Sequence, residues 1–122
     1  MRGVGIDTVD VDRFRAVLAR RPGVAGRLFT AGELAYAGRS ADPAPRLAAR
    51  FAAKEAAMKA LGVGLGAFGF HDVEVTRAES GEPSLTLTGT AAQLASQRGV
   101  EKWWLSLTHT ALVAQALVLA EG

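Results

Sequence analysis

Hydrophobic and polar positions follow a different rhythm in each part of this 122-residue chain, and the changes of rhythm mark out its elements. Residues 3–9 read as a short buried strand, with Val4 and Ile6 on one face and Gly3, Gly5 and Asp7 on the other. Two glycines beside an acid leave room for close approach by a backbone or a ligand. Asp10 is placed to cap a helix over residues 11–21. Its apolar side is Val11, Phe14 and Leu18, and its outward side carries Arg13 and Arg20. Thr30-Ala31-Gly32-Glu33 has the form of a capping box and opens a short helix. Residues 38–45, with two prolines, form a loop. Residues 71–76 and 84–88 alternate as two strands joined through Gly81-Glu82-Pro83, a hairpin. Thr90 opens a further helix that Gly99 closes, and strands over 102–107 and 112–119 flank the turn His109-Thr110-Ala111. The last strand is apolar on both faces, which predicts a central position in its sheet. The order β-α-α-α-β-β-α-β-β is that of one α+β domain over residues 1–122, its mainly antiparallel sheet packed against helices.

The strongest element is a helix over residues 46–61, rich in alanine, free of internal proline after Pro45 and closed by Gly62. With Leu47 at 0° and 100° per residue, Met58 falls at about 20°, Phe51 at about 40° and Leu61 at about 320°. Ala49, Ala53, Ala57 and Ala60 cover the far side, where a second element can approach closely. Such a helix is buried on nearly all sides, yet Glu55 and Lys59 lie about 40° apart on its edge, one turn from each other. One reading is an ordinary Glu-to-Lys pair at i,i+4, a contribution of about 0.2–0.5 kcal/mol. The other is a metal-binding carboxylate beside a cation that neutralises phosphate charge.

Composition narrows the setting. Apolar content of 49% with 21% charged residues describes a globular chain long enough for one core. No apolar run reaches the length of a membrane span, and no secretory signal pattern follows Met1-Arg2, so a cytoplasmic protein is expected. The absence of cysteine excludes thiolate chemistry and cysteine-based zinc sites. The net charge of +2 hides an asymmetry. Residues 1–60 hold eleven Lys/Arg against six Asp/Glu, whereas residues 61–122 hold three against six. One basic face facing something acidic is implied. Nucleic acid is disfavoured as that partner, because runs of Lys/Arg interleaved with aromatics are missing.

Asp7 supplies a second carboxylate for the functional reading of Glu55. A strand acid and a helix acid together suit Mg²⁺, which takes one or two protein carboxylates plus phosphate oxygens and water. Lys59 would reach the same phosphates as a point charge. Gly62, Gly64, Gly66 and Gly69 form a flexible segment directly after Lys59, a weak sign of phosphate binding. Of the two histidines, His71 reads as structural, and His109, at a polar hairpin tip between Thr108 and Thr110, is the candidate for chemistry. The residues by themselves point to a Mg²⁺-dependent, phosphate-handling domain.

Six blocks extend this. Gly5-Ile6-Asp7, Phe29-Thr30 with Glu33-Leu34, and Arg50-Phe51-Ala52-Ala53-Lys54-Glu55-Ala56 with Lys59-Ala60-Leu61-Gly62 come in that order. They are followed by Asp72-Val73-Glu74-Val75, Gly81-Glu82-Pro83 and Ser106-Leu107-Thr108-His109-Thr110. Together they resemble the holo-[acyl-carrier-protein] synthases, the small bacterial class of 4′-phosphopantetheinyl transferases, over essentially the whole chain. The resemblance implies that fold, and transfer of phosphopantetheine from coenzyme A to a serine of an acidic apo acyl carrier protein, with adenosine 3′,5′-bisphosphate released. It implies Asp7 and Glu55 as Mg²⁺ ligands and Lys59 on the phosphates. Arg50, Gly62, His109 and Thr110 would lie at coenzyme A, with His109 also a proton acceptor, and Arg13 and Arg20 would dock the carrier protein. It also implies a homotrimer with sites at subunit interfaces, which would account for Lys54 on the bulky face of so apolar a helix. Thr8, Asp10 and Thr108 depart from the commoner residues of these blocks. The loop 42–45 lacks the paired basic residues often found there, leaving Arg39 and Arg46 as the nearest substitutes. The alternative from another class is a non-catalytic module that binds coenzyme A or a nucleotide on the same fold.

Overall fold

The computed structural model describes all 122 residues. Strand β1 (Gly3–Asp10) leads into α1 (Val11–Arg20), α2 (Val24–Leu28), α3 (Ala31–Ala37) and the long α4 (Ala44–Leu61). A 3₁₀ turn at Phe70–Asp72 precedes the hairpin of β2 (Val73–Arg77) and β3 (Pro83–Leu87), and α5 (Gly89–Gln97), β4 (Lys102–His109) and β5 (Val113–Glu121) complete the chain. The strands form two antiparallel sheets rather than one: β1-β5-β4 and β2-β3. The apolar strand β5 is central in its sheet, as its pattern predicts. No helix is long and apolar enough to cross a membrane.

Local chemistry accounts for most boundaries. Asp10 accepts the Arg13 N–H at 2.8 Å and caps α1. Thr30 and Glu33 complete both halves of the capping box on α3. Gly62, at φ 71°, closes α4 with paired bonds from Gly62 N–H to Lys59 O and from Val63 N–H to Met58 O, each 3.0 Å. Three expectations shift. The chain makes an extra short helix, α2, after Pro22-Gly23. Pro45 sits in the first turn of α4, where its missing N–H costs nothing, so that helix begins inside the expected loop. His71 and Asp72 belong to the 3₁₀ turn, and the strand starts at Val73.

Helix α4 lies across the inner face of the three-stranded sheet. Gly3 and Gly5 make this possible: a Cβ at either would stand 1.9 Å from Ala60 O or 1.8 Å from Ala56 O. The buried face of β1 is therefore the glycine face. Val4 and Ile6 remain 56% and 59% exposed on the outer face of the sheet, so the strand expected to be buried is covered on one side only. One core cluster gathers Ala52–Leu61 residues against β2, β5 and α5, and a second gathers Val11, Phe14, Phe29 and Ala37 around the start of α4.

Candidate active site

The backbone closeness of β1 and α4 brings Asp7 to Glu55 and Lys59 across a gap of about fifty positions in the sequence. The Lys59 ammonium is 3.1 Å from Asp7 Oδ1 and donates to Ile6 O at 2.9 Å. Lys59 thus turns towards the strand and makes no ion pair with Glu55, so the i,i+4 pairing is not what this helix edge is for. Asp7 and Glu55 both line a cleft of about 640 Å³ whose walls include Arg13, Phe14 and Phe51. The aromatic wall is built by stacking: Phe14 and Phe51 have centroids 5.2 Å apart, and Phe51 and Phe70 5.7 Å. Burial, and then the negative charge of Asp7, push the Glu55 carboxyl above the usual glutamate range, while Lys59 pulls the other way.

Two carboxylates with no nitrogen or sulfur donor beside them fit a hard cation that keeps most of its waters. No third His, Asp or Glu joins them to make a cage. The donor set suits Mg²⁺ shared with phosphate oxygens better than a closed structural metal site.

His109 is not at this cleft. It ends β4 beside a second cavity of about 320 Å³, lined by Tyr36, Arg46, Arg50, Arg77 and Thr108 among others. The helix explains the separation: Arg46 and Arg50 fall at about 260° and 300° on α4, whereas Glu55 falls at about 80°. The two cavities occupy opposite edges of one helix. Thr110 stays in the β4–β5 turn, its hydroxyl accepting from Leu112 and Val113 N–H at 3.1 Å each. Gly62 stands at the end of α4, next to the Arg98 guanidinium. Arg13 borders the first cleft, and neither it nor Arg20 has a carboxylate partner. His71 donates or accepts nothing catalytic here: its Nε2–H reaches Gly26 O at 2.7 Å and ties the 3₁₀ turn to α2.

Lys54 corrects an expectation. It is not an interface residue but lies at the centre of this chain, 0% exposed, with Glu33 Oε1 at 2.8 Å. Its ammonium also donates to Phe70 O at 2.8 Å and Val73 O at 2.5 Å. Glu33 in turn accepts from Thr30 N–H and Val75 N–H, so one buried pair joins α3, α4 and β2. Sequence reading saw Glu33 only as a capping residue. It also passed over Tyr36 and Arg77, although Arg46 and Arg50 at i,i+4 already signalled a shared helix face.

The model of the 4′-phosphopantetheinyl transferase superfamily matches residues 3–116. The chain is 54% identical to the holo-[acyl-carrier-protein] synthase of Frankia casuarinae, covering 98% of this chain and 96% of that one. The chain belongs to the 4′-phosphopantetheinyl transferase superfamily. Within it, the chain is an enzyme of the holo-[acyl-carrier-protein] synthase type. Its fold matches the crystal structure of the Neisseria meningitidis synthase with a TM-score of 0.91 at 30% identity, covering 100% of this chain and 99% of that one. It matches the Helicobacter pylori synthase, solved in complex with coenzyme A, with a TM-score of 0.85 at 27% identity, covering 97% and 99%.

Proposed function

We propose that this enzyme transfers 4′-phosphopantetheine from coenzyme A to a serine hydroxyl of an acidic apo acyl carrier protein in a Mg²⁺-dependent reaction. The observation that carries the reading is the meeting of Asp7 and Glu55 at one cleft, with the Lys59 ammonium 3.1 Å from Asp7, in a chain of this family. The serine hydroxyl releases its proton to water as its oxygen bonds the β-phosphorus, the bond from that phosphorus to the bridging oxygen breaks, and adenosine 3′,5′-bisphosphate leaves. Asp7 and Glu55 would hold the Mg²⁺, which when bound neutralises phosphate charge. Lys59, anchored by Ile6 O and with one N–H free, places a positive charge at the phosphates and is positioned to protonate the leaving group. Arg50 and His109 take the nucleotide end of coenzyme A.

A second copy completes the site in this reading, because Arg50 and His109 occupy the other edge of α4 from Asp7 and Glu55 within one chain. The outer face of the large sheet supports such assembly. Val4, Leu119 and Trp104 form one cross-strand row, followed by Ile6, Leu117 and Ser106. Val4, Ile6, Trp104 and Leu117 are 40–59% exposed, an apolar face without cover in the single chain. A homotrimer built through this face is the proposed state. Carrier-protein docking falls to Arg13 and Arg20, whose unpaired guanidiniums suit an acidic helix.

Intact-mass measurement of an apo acyl carrier protein, incubated with the enzyme, coenzyme A and Mg²⁺, tests the reaction. A gain of one phosphopantetheine, lost on chelation and with Glu55→Ala, is expected. No gain across several carrier proteins, despite binding of coenzyme A, would leave the non-catalytic binding module in its place.

A further inference from the structure

Three acids border the first cleft, and the proposed reaction uses two of them. Asp7 and Glu55 suit the cation, and Lys59 stands 3.1 Å from Asp7. Asp10 is the third. It ends β1, an edge strand of its sheet, three positions on from Asp7. Its Oδ1 accepts the Arg13 N–H at 2.8 Å, whereas Oδ2 has no partner in the chain. The residue is exposed, and no cation lies within ion-pair distance of it.

Capping accounts for one oxygen of Asp10 and not for its charge. Asparagine or serine caps a helix about as well as aspartate does. In a cleft that receives a pyrophosphate, an unpaired carboxylate repels the substrate, so its charge calls for a second role.

The reaction leaves one role open, because the serine hydroxyl loses a proton as its oxygen bonds phosphorus. Around the cleft, Asp7 and Glu55 are committed to the cation, and the Thr8 hydroxyl is engaged by Gln115 at 3.3 Å. Arg13 and the apolar side chains accept no proton. His109 lies in the second cavity, at the opposite edge of α4. A carboxylate is a weak base, but the loose transition state of phosphoryl transfer asks little of the base, and an aspartate suffices.

We infer that Asp10 is the proton acceptor of the transfer, its free Oδ2 taking the serine proton from the water that first receives it. This rests on the proposed transferase function and supplies its base. The serine O–H bond breaks, its oxygen joins the β-phosphorus, and the proton passes through one water to Asp10. The bond from that phosphorus to the bridging oxygen breaks, and Lys59 gives a proton to the oxygen that leaves. Asp10 then returns its proton to solvent and Lys59 takes one up, which closes the cycle. Because Oδ1 is tied to Arg13 N–H, the junction of β1 and α1 sets the acceptor beside the docking arginine.

The test compares parent enzyme, D10N and D10A in single-turnover modification of an apo carrier protein, with thermal melting in the presence and absence of Mg²⁺. Asparagine keeps the size of the side chain and the cap but cannot take the proton. The expected result for D10N is a single-turnover rate lowered about 10²–10³-fold. Its half-saturating concentrations of coenzyme A and carrier protein should match the parent, as should its melting temperature and the rise that Mg²⁺ gives. D10A should be as slow as D10N and melt lower, since it loses the cap as well. A parental rate in D10N would leave Asp10 a capping residue and overturn the assignment. Loss of the Mg²⁺ response in D10N would make Asp10 a metal ligand, and a loss confined to carrier-protein saturation would make it a docking contact; either overturns it too. A parent that modifies no carrier protein would sink the transferase reading and this assignment with it, whereas an active parent with an equally active D10N would sink the assignment alone.

Discussion

Lys54 and Lys59 stand on the same helix, each beside a carboxylate from another element, yet their surroundings differ in every physical respect. Lys54 and Glu33 are both 0% exposed in their side chains, and all three ammonium hydrogens have acceptors. Lys59 is 55% exposed and Asp7 19%, and their separation is wider, 3.1 Å against 2.8 Å. Taking an ammonium out of water is tolerable only with complete hydrogen bonding, so the buried pair is a fastening of α3 to α4 and β2. An exposed pair contributes little to stability, and its remaining hydrogen-bonding capacity is available to a ligand. One helix therefore presents one lysine to the core and the other to solvent by orientation alone.

The contrast predicts different losses at the two lysines. Lys54→Met leaves the Glu33 carboxylate buried without its cation, and a fall of about 3–5 kcal/mol in unfolding free energy is expected by denaturant titration. Lys59→Met should leave that stability nearly unchanged. If both variants unfolded at the same denaturant concentration as the parent, the buried pair would not be the fastening described.

On the chemical side, Glu55→Gln keeps the size of the side chain and removes its charge. Turnover should fall about 10²–10³-fold, with the circular dichroism spectrum unchanged. A variant with parental turnover would detach Glu55 from the metal. On helix α1, Arg13→Glu with Arg20→Glu should raise KM for the carrier protein roughly tenfold and hardly alter that for coenzyme A. Steady-state kinetics with each substrate varied in turn separates the two effects.

The smallest effect concerns pH. The Glu55 carboxyl is raised by burial and by Asp7, so its folded-state pKa lies above its unfolded value. Its ionised form therefore lowers stability at neutral pH, and protonation on acidification relieves that cost. Metal-free Glu55→Gln should melt slightly above the parent at pH 7, the difference closing as pH falls through the glutamate range. Mg²⁺ should raise the melting temperature of the parent and not of the variant. Identical pH profiles for the two proteins would remove the assigned strain at Glu55.

Much of the site was legible before any coordinates. The alanine side of α4 and the glycine side of β1 each announced a close approach, and they turn out to meet each other. The capping box at Thr30, the closing glycine at 62 and the central placement of β5 follow from local rules that the tertiary structure does not disturb. The motif blocks pointed to the family that the whole-chain comparisons show.

What the sequence by itself determined was periodicity, capping and residue type: the elements, the buried character of α4, and the candidates Asp7, Glu55 and Lys59. What only the tertiary structure decided was partnership. Lys54 looked misplaced on an apolar face until Glu33, Phe70 O and Val73 O were seen to surround it. Strand β1 looked buried as a whole until the glycine face proved to be the one covered by α4, with Val4 and Ile6 left exposed. His109 shared a motif map with Asp7 but stands with Arg46, Arg50 and Arg77 at the opposite edge of the helix. Local spacing fixes where a side chain points on its own element, whereas the neighbour it meets depends on how separate elements cross, and that is set by the whole core at once.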